Sequence, residues 1–371
     1  MLMAHNIQIL ENGTQCYVEN AAKERAWHGL GTTYDRPLTA KEAIEGAHAN
    51  FQVEGRELFY MTKELDDYIK KGVDIPSELL MTLFKKVENK KANVRNDLQT
   101  CLGVVGKDYG IVQNEHAFDF VDMLTSGELG GETPTIESAG VLGQGERIFI
   151  TAKFAEPIIL NNKTDDKVDM YVVFTTSHNG EGAVTCMVTP VRVVCQNTLN
   201  MAFSHNSGKL SLRHTINVNN RLDLSNKENA QMAFKALNLY TLYKKEFEEK
   251  LQHLSRIKFT DKQIEEVLVK SLLTPQAYAA YLAADKNLNI DDISTRSKNI
   301  IGNINDSLYG GIGQSILEKN NGLWLINGMT TYYQNHANWS SDENKFDSII
   351  DGNVNNKLNA LYGNIEAFAV A

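Results

Sequence analysis

The sequence predicts an α+β fold: a mainly antiparallel sheet core with helices, followed by a helical C-terminal region. Three observations predict it. Between residues 98 and 222, short apolar runs alternate with turn residues. After Asp223, apolar residues recur at helical spacing behind capping-box sequences. The apolar fraction of 42% is ordinary for a globular protein, so a core is available and global disorder is excluded. At about 100–200 residues per domain, 371 residues allow two or three units. The expected division is a mixed N-terminal region (1–97), an α+β core (98–222) and a helical region (223–371).

Each element has its own signal. Residues 1–20 read as a loose arm. Thr39-Ala40-Lys41-Glu42 has capping-box spacing and opens a helix. Residues 51–62 read as a strand, and Ser77 to Val87 as a short helix. Leu102–Val105 and Gly110–Val112 flank Lys107-Asp108 and predict a hairpin. His116 to Leu124 predicts a helix with Ala117, Phe120, Val121 and Leu124 on one face. Ala139–Leu142, a Gly143-Gln144-Gly145 turn, and an alternating Arg147–Phe154 predict two paired strands. Tyr171–Thr176 and Ala183–Val194 are two more, joined at Asn179-Gly180, whose residues tolerate positive φ. Pro190 places the second of these at an edge or a bulge. A helix is expected from Asn197 or Thr198, and a strand over Leu210–Val218. Capping boxes at Ser225–Glu228 and Thr260–Gln263, and Pro275 behind Thr274, open further helices. More are expected at 294–308, 323–336 and 344–362.

The net charge of −9 hides an uneven map. Residues 98–181 carry a net −8, whereas 182–222 carry four Lys/Arg and no Asp or Glu. That segment holds Arg192, Lys209, Arg213 and Arg221, with His205 and His214. A carboxylate-free surface does not repel phosphate. A buried core that excludes acids because it excludes water gives the same absence. A second basic cluster, Lys85, Lys86, Lys90 and Lys91 with Arg95, reads as an exposed loop or hairpin tip, either a solvated surface or a phosphate-neutralising arm. The strand ending at Arg192 is expected to feed a helix start at Gln196, Asn197 and Thr198, whose free N–H groups would hold an anion. The competing reading pairs Arg192 with an acid and leaves Asn197 a simple cap. Tyr332, Tyr333, His336 and Trp339 cluster near one C-terminal helix, as stacking residues or as core.

Reaction chemistry is poorly signalled. Cys195 and His178 are candidates for nucleophilic catalysis by residue type only, with no elbow or papain-like signature around them. Cys186 and Cys195 are nine residues apart, which is not zinc-ligand spacing. Neither a metal nor a cofactor is expected. Four cysteines are too few for a disulfide scaffold, and reduced thiols are expected. No apolar run approaches the roughly 20 residues of a membrane span, and no basic-then-apolar leader opens the chain, so a cytoplasmic protein without a membrane partner is expected.

Several stretches together resemble one family, the phage/plasmid-like proteins grouped as a domain of unknown function. They are Ala26–Thr32, Leu102–Gly106 with Tyr109, Ser177-His178-Asn179-Gly180, Thr189–Leu199, Arg213-His214-Thr215 and, more weakly, Asn327–Tyr332 with His336. The resemblance implies a mobile-element origin and a bacterial host cytoplasm; it supplies no catalytic residue. The element order near 98–222 is also similar to that of single-strand annealing proteins, an analogy of fold only. The expected function is non-enzymatic binding of single-stranded DNA in replication or recombination, by a homo-oligomer. The alternatives are an interaction protein that binds a host factor through the acidic 98–181 segment, and an enzyme that uses His178, Cys195 or His214.

Overall fold

A computed structural model describes residues 7–22, 29–127, 132–159, 167–192, 197–198, 209–215, 244–311, 314–315, 317–340, 344–345, 348–349 and 352–370. In chain order the elements begin with Tyr17–Asn20 (β1), Thr32–Tyr34 (β2) and Ala40–Gly46 (α1). Val53–Met61 (β3), Lys63–Lys71 (α2), Ser77–Leu80 (α3), Phe84–Arg95 (β4) and Thr100–Gly106 (β5) follow, then Asn114–Thr125 (α4). Next come Thr135–Leu142 (β6), Arg147–Lys153 (β7), Ile158–Ile159 (β8) and Lys167–Ser177 (β9). Val184–Arg192 (β10), Asn197–Thr198 (β11) and Lys209–Leu212 (β12) complete the strands.

The larger sheet runs β11-β10-β9-β7-β6-β1-β2, with β12 on β10 and β8 on β9. Its described pairs are antiparallel except β1–β2. Strand alternation builds its core face: Ile148, Ile150 and Ala152 of β7 and Val168, Met170, Val172 and Phe174 of β9 are buried. Helices α1 and α4 cover that face. The Thr39–Glu42 capping box forms as predicted. On α4 the predicted stripe Ala117, Phe120, Val121 and Leu124 is buried, with Phe120 at 5.4 Å from the Phe174 ring. Burying each of the larger side chains stabilises the fold by about 1.5–3 kcal/mol.

The C-terminal part is helical, as predicted. Residues 244–256 are followed by Asp261–Leu272 (α5), Pro275–Ala283 (α6), Thr295–Gly310 (α7), Gly322–Thr331 (α8) and Asn353–Val370 (α9). The Thr260–Gln263 box caps α5, and Pro275 opens α6 behind a Thr274 cap. Every residue of α8 is buried, Trp324 completely, so this apolar helix is the centre of its bundle. One apolar cluster runs from Val18 and Phe120 through to Leu268, Trp324 and Leu361.

Several expectations are corrected. The N-terminal stretch is not a loose arm over its described residues: β1 pairs with β6, and Cys16 and Val18 are fully buried. The helix expected to Val87 ends early, and β4 takes over at Phe84. The basic stretch Lys85–Arg95 is strand, not loop, because β3 supplies ladder partners along it and β5 joins from Lys90 onward. The 102–112 hairpin does not form: β5 pairs with β4, and Gly110 N–H donates to His214 O at 3.1 Å. No helix opens at Asn197–Thr198. These two residues pair with Val191 and Arg192, so strand pairing and not a helix start occupies them. Gln196 lies outside the described residues, as do the capping box at 225–228 and the end of the strand expected to 218. The helix expected over 344–362 is helical at its described residues 344–345, 348–349 and 353–362, and it runs on to Val370. Strand β10 is not an edge strand, but among the described residues Pro190 has a partner on the β9 side alone: β12 pairs with Val184–Met187 and β11 with Val191–Arg192, either side of it.

Candidate nucleic-acid interface

Strands β3, β4 and β5 form a separate three-stranded antiparallel sheet, with β4 in the middle. The two halves of β4 differ. Its inner half, Ala92–Arg95, is locked into the body. Arg95 is 1% exposed. It donates to Gln8 Oε1 and to Gln144 O, each at 2.8 Å, pairs with both Asp97 oxygens at 2.7 Å, and lies 3.7 Å over the Phe51 ring. The guanidinium holds the Asp97 carboxyl below the usual carboxylate range. Asn93 Nδ2 donates to His178 O at 2.7 Å. Gly103 of β5 closes the same joint: a Cβ there would stand 2.5 Å from Asn179 Cα, so only glycine lets the strand approach that loop.

Under this joint lie two histidines that the sequence marks as motif residues. Asn114 Nδ2 donates to Ala49 O at 2.9 Å, which turns its Oδ1 towards His178 Nε2, also at 2.9 Å. An amide oxygen only accepts, so Nε2 carries the proton and Nδ1 keeps a lone pair. That Nδ1 accepts no hydrogen bond among the described residues. His214 Nδ1 donates to Gly110 O at 3.0 Å, and the Tyr109 ring stacks on it at 4.5 Å. Tyr109 Oη donates to Ser177 O at 2.7 Å. Burial pushes the His178 pKa down to about 3, helped by His214 and Arg95; burial also lowers that of His214. Both rings are neutral near pH 7. Because His178 is 0% exposed, it meets no solution ligand; it sets the geometry of the loops around it. Cys195, the nucleophile considered beside it, lies outside the described residues.

The outer half of β4 is open. Phe59 stands opposite Lys86, and Tyr60 opposite Lys85. Directly opposed residues share a face, so each face of this ribbon carries one aromatic ring and one lysine. Phe59 is 50% and Tyr60 56% exposed, leaving half of each ring bare. Lys85 and Lys90 are exposed; Lys86 pairs with Glu57 across the ribbon, an exposed pair that salt screens. The register shifts after Glu57, so Val87–Lys90 stand opposite Leu58 alone, with Asn89 at φ 61°. Lys107 N–H donates to Asn89 O, and Lys91 Nζ to Tyr109 O at 2.7 Å. Through Gly110, the Arg213–Thr215 stretch joins the same loop, with Arg213 exposed.

Backbone bonds at Asn89–Lys107 and Gly110–His214, with the Lys91–Tyr109 bond, thus join the segments that carry Lys90, Lys91, Lys107 and Arg213, and Lys85 and Lys86 stand further out on the ribbon. Arg192 is not brought to them. It ends β10 eight residues beyond Val184, which pairs with Leu212 next to Arg213; at about 3.3 Å per residue the two lie far apart. Lys209 pairs with Met187 on β12 between them, and Arg221 lies outside the described residues. Sequence reasoning missed Phe59 as a partner of the lysines. The signal was present in Phe59-Tyr60-Met61: three successive apolar residues in a strand cannot all face one core.

Among the described residues no three His, Cys, Asp or Glu side chains gather as a metal-binding group, and no helix is long and apolar enough to cross a membrane. A family model described as "Domain of unknown function (DUF932)" matches residues 101–355, from β5 into α9; β3 and β4 lie upstream of that match. No curated protein and no solved structure matches the chain.

Proposed function

The chain belongs to the DUF932 family, associated with phage and plasmid contexts, and from that premise we propose that it binds single-stranded nucleic acid through the β3–β4 ribbon. One observation carries the reading: exposed aromatic rings stand directly opposite lysines on a ribbon open on both faces. Bases stack on such rings whatever their sequence, while the cations follow the phosphates. Lys90, Lys107 and Arg213 at the ribbon's base extend the phosphate track; Lys86 joins it by exchanging Glu57 for phosphate. The net charge of −9 does not oppose this, because the local field at the ribbon governs approach.

Self-association belongs to the same reading. The ribbon's connection exposes Leu79, Leu80 and Met81, an apolar end that a second copy would cover. Light scattering with and without an oligothymidine measures it, and a larger particle is expected when the strand is present.

The direct test is fluorescence anisotropy of labelled oligothymidine across a salt series. Binding should weaken with a slope of about −0.7 per phosphate neutralised. Absence of binding in dilute buffer, or binding indifferent to salt, overturns the reading.

A further inference from the structure

The C-terminal helices enclose a cavity whose lining differs in chemistry from the ribbon. This cavity of about 550 Å³ opens between α7, the turn after α8, and α9. That volume falls in the range of about 300–1,000 Å³ typical of small-ligand sites. Two cations line it, Arg296 of α7 and Lys357 of α9, and no Asp or Glu is among its described lining residues. Lys357 Nζ donates to Tyr333 Oη at 3.0 Å. Burial and the neighbouring Arg296 lower the Lys357 pKa. Asn299, Asn303 and Asn338 add amide donors and acceptors to the wall.

The aromatic wall has an unusual backbone. Tyr332–His336 form a π-helical turn at the end of α8, with Ala337 N–H donating to Tyr332 O at 2.8 Å. Such turns are rare and occur frequently at functional sites. Here the turn leads into Trp339, whose Nε1 donates to Tyr333 O at 3.0 Å. This bond fixes the indole at the cavity while the ring remains only partly buried. Tyr332, Tyr333 and Trp339 are the aromatics that the sequence marks as stacking residues or core. The structure makes Tyr332 and Tyr333 core and keeps Trp339 half-open.

We propose that this cavity binds a nucleoside phosphate: the base against Trp339, the phosphate between Arg296 and Lys357, and the asparagine amides on the base edge. A flat ring and an anion in one ligand satisfy the indole and the two cations together; inorganic phosphate satisfies only the cations. The site does not rest on the ribbon, so nucleotide binding and strand binding fail separately.

The experiment titrates the full chain with AMP, UMP, inorganic phosphate and a 5′-phosphorylated oligothymidine, reading heat and tryptophan fluorescence. AMP or UMP should bind saturably and quench fluorescence, with inorganic phosphate at least tenfold weaker. Arg296→Gln, at an exposed position that leaves folding intact, should weaken nucleotide binding at least tenfold, and Lys357→Gln should do the same. Trp339→Phe should abolish the quench. If only the 5′-phosphorylated strand binds, and Arg296→Gln removes its advantage over the unphosphorylated strand, the nucleotide is a strand end and the assignment holds. No saturable signal from either nucleotide or strand end up to about 5 mM, or binding unchanged in Arg296→Gln, overturns it.

Discussion

One strand, β4, serves two regions built on opposite terms. Its inner half buries Asn93 and Arg95 and spends their hydrogen bonds on Gln8, Asp97, Gln144 and His178. Its outer half leaves Lys85 and Lys90 in water beside half-bare rings. The difference teaches where specificity of structure and availability for a ligand reside. A buried cation is tolerated only when partners replace its water, so the inner residues are committed to the fold. The outer residues make few such commitments, so their side chains remain free to meet an anion and a base.

The comparison is broken most severely at Arg95. Arg95→Ala removes a buried guanidinium and strands the Gln8 Oε1 and Gln144 O acceptors, at about 1–3 kcal/mol for each buried group left unpaired, so unfolding in urea should show a loss of about 3 kcal/mol. A loss under 1 kcal/mol, within the range of ordinary surface changes, would mean that the inner half of β4 is not a clamp.

Acid should sharpen the comparison next. His178 titrates near 6.5 when unfolded and near 3 in the native protein. Between those values the unfolded chain binds more protons, so stability is full above pH 6.5 and falls as pH drops towards 3. From pH 6.5 to 4.5 the loss should reach about 2–3 kcal/mol, at about 1.4 kcal/mol per pH unit. His178→Gln should flatten that slope in denaturation measured at each pH. An unchanged slope would show that the ring is not the buried neutral group described.

The outer half should respond in binding and not in folding. Tyr60→Ala should weaken oligothymidine binding by about 1–3 kcal/mol, the worth of one stacked base. Its melting temperature should stay close to the parent's, because an exposed ring contributes little to the core. The smallest effect belongs to Lys85→Ala and Lys90→Ala. Each should reduce the slope of log K against log salt by about 0.7, if each contacts one phosphate. A variant that loses affinity with the slope unchanged would place its lysine off the phosphate track.

Local elements were legible because their signals are local. The Thr39–Glu42 and Thr260–Gln263 boxes, Pro275, and the stripe Ala117–Leu124 each fall within one or two helical turns, and each forms as read. The alternation of Arg147–Phe154 was equally plain. β4 was not, because Lys85-Lys86-Val87-Glu88-Asn89-Lys90 shows no period of two: both faces of the ribbon are wet, so no apolar alternation is required. The expected helix at Asn197 failed because strand pairing across Arg192 is a contact between segments, invisible in either alone.

Composition and spacing by themselves determined the α+β class and the helical C-terminal part, and a family resemblance singled out the motifs around His178 and His214. Only the tertiary structure decided which of these residues meet. It joined the Arg213–Thr215 stretch to the loop at Gly110, left Arg192 far along β10, drew Asn114 and Asn93 onto His178, and placed Arg296 and Lys357 on one cavity. The physical reason is that periodicity records which side of an element faces the core, whereas a site is made by residues distant in the chain, whose meeting depends on sheet order and helix packing.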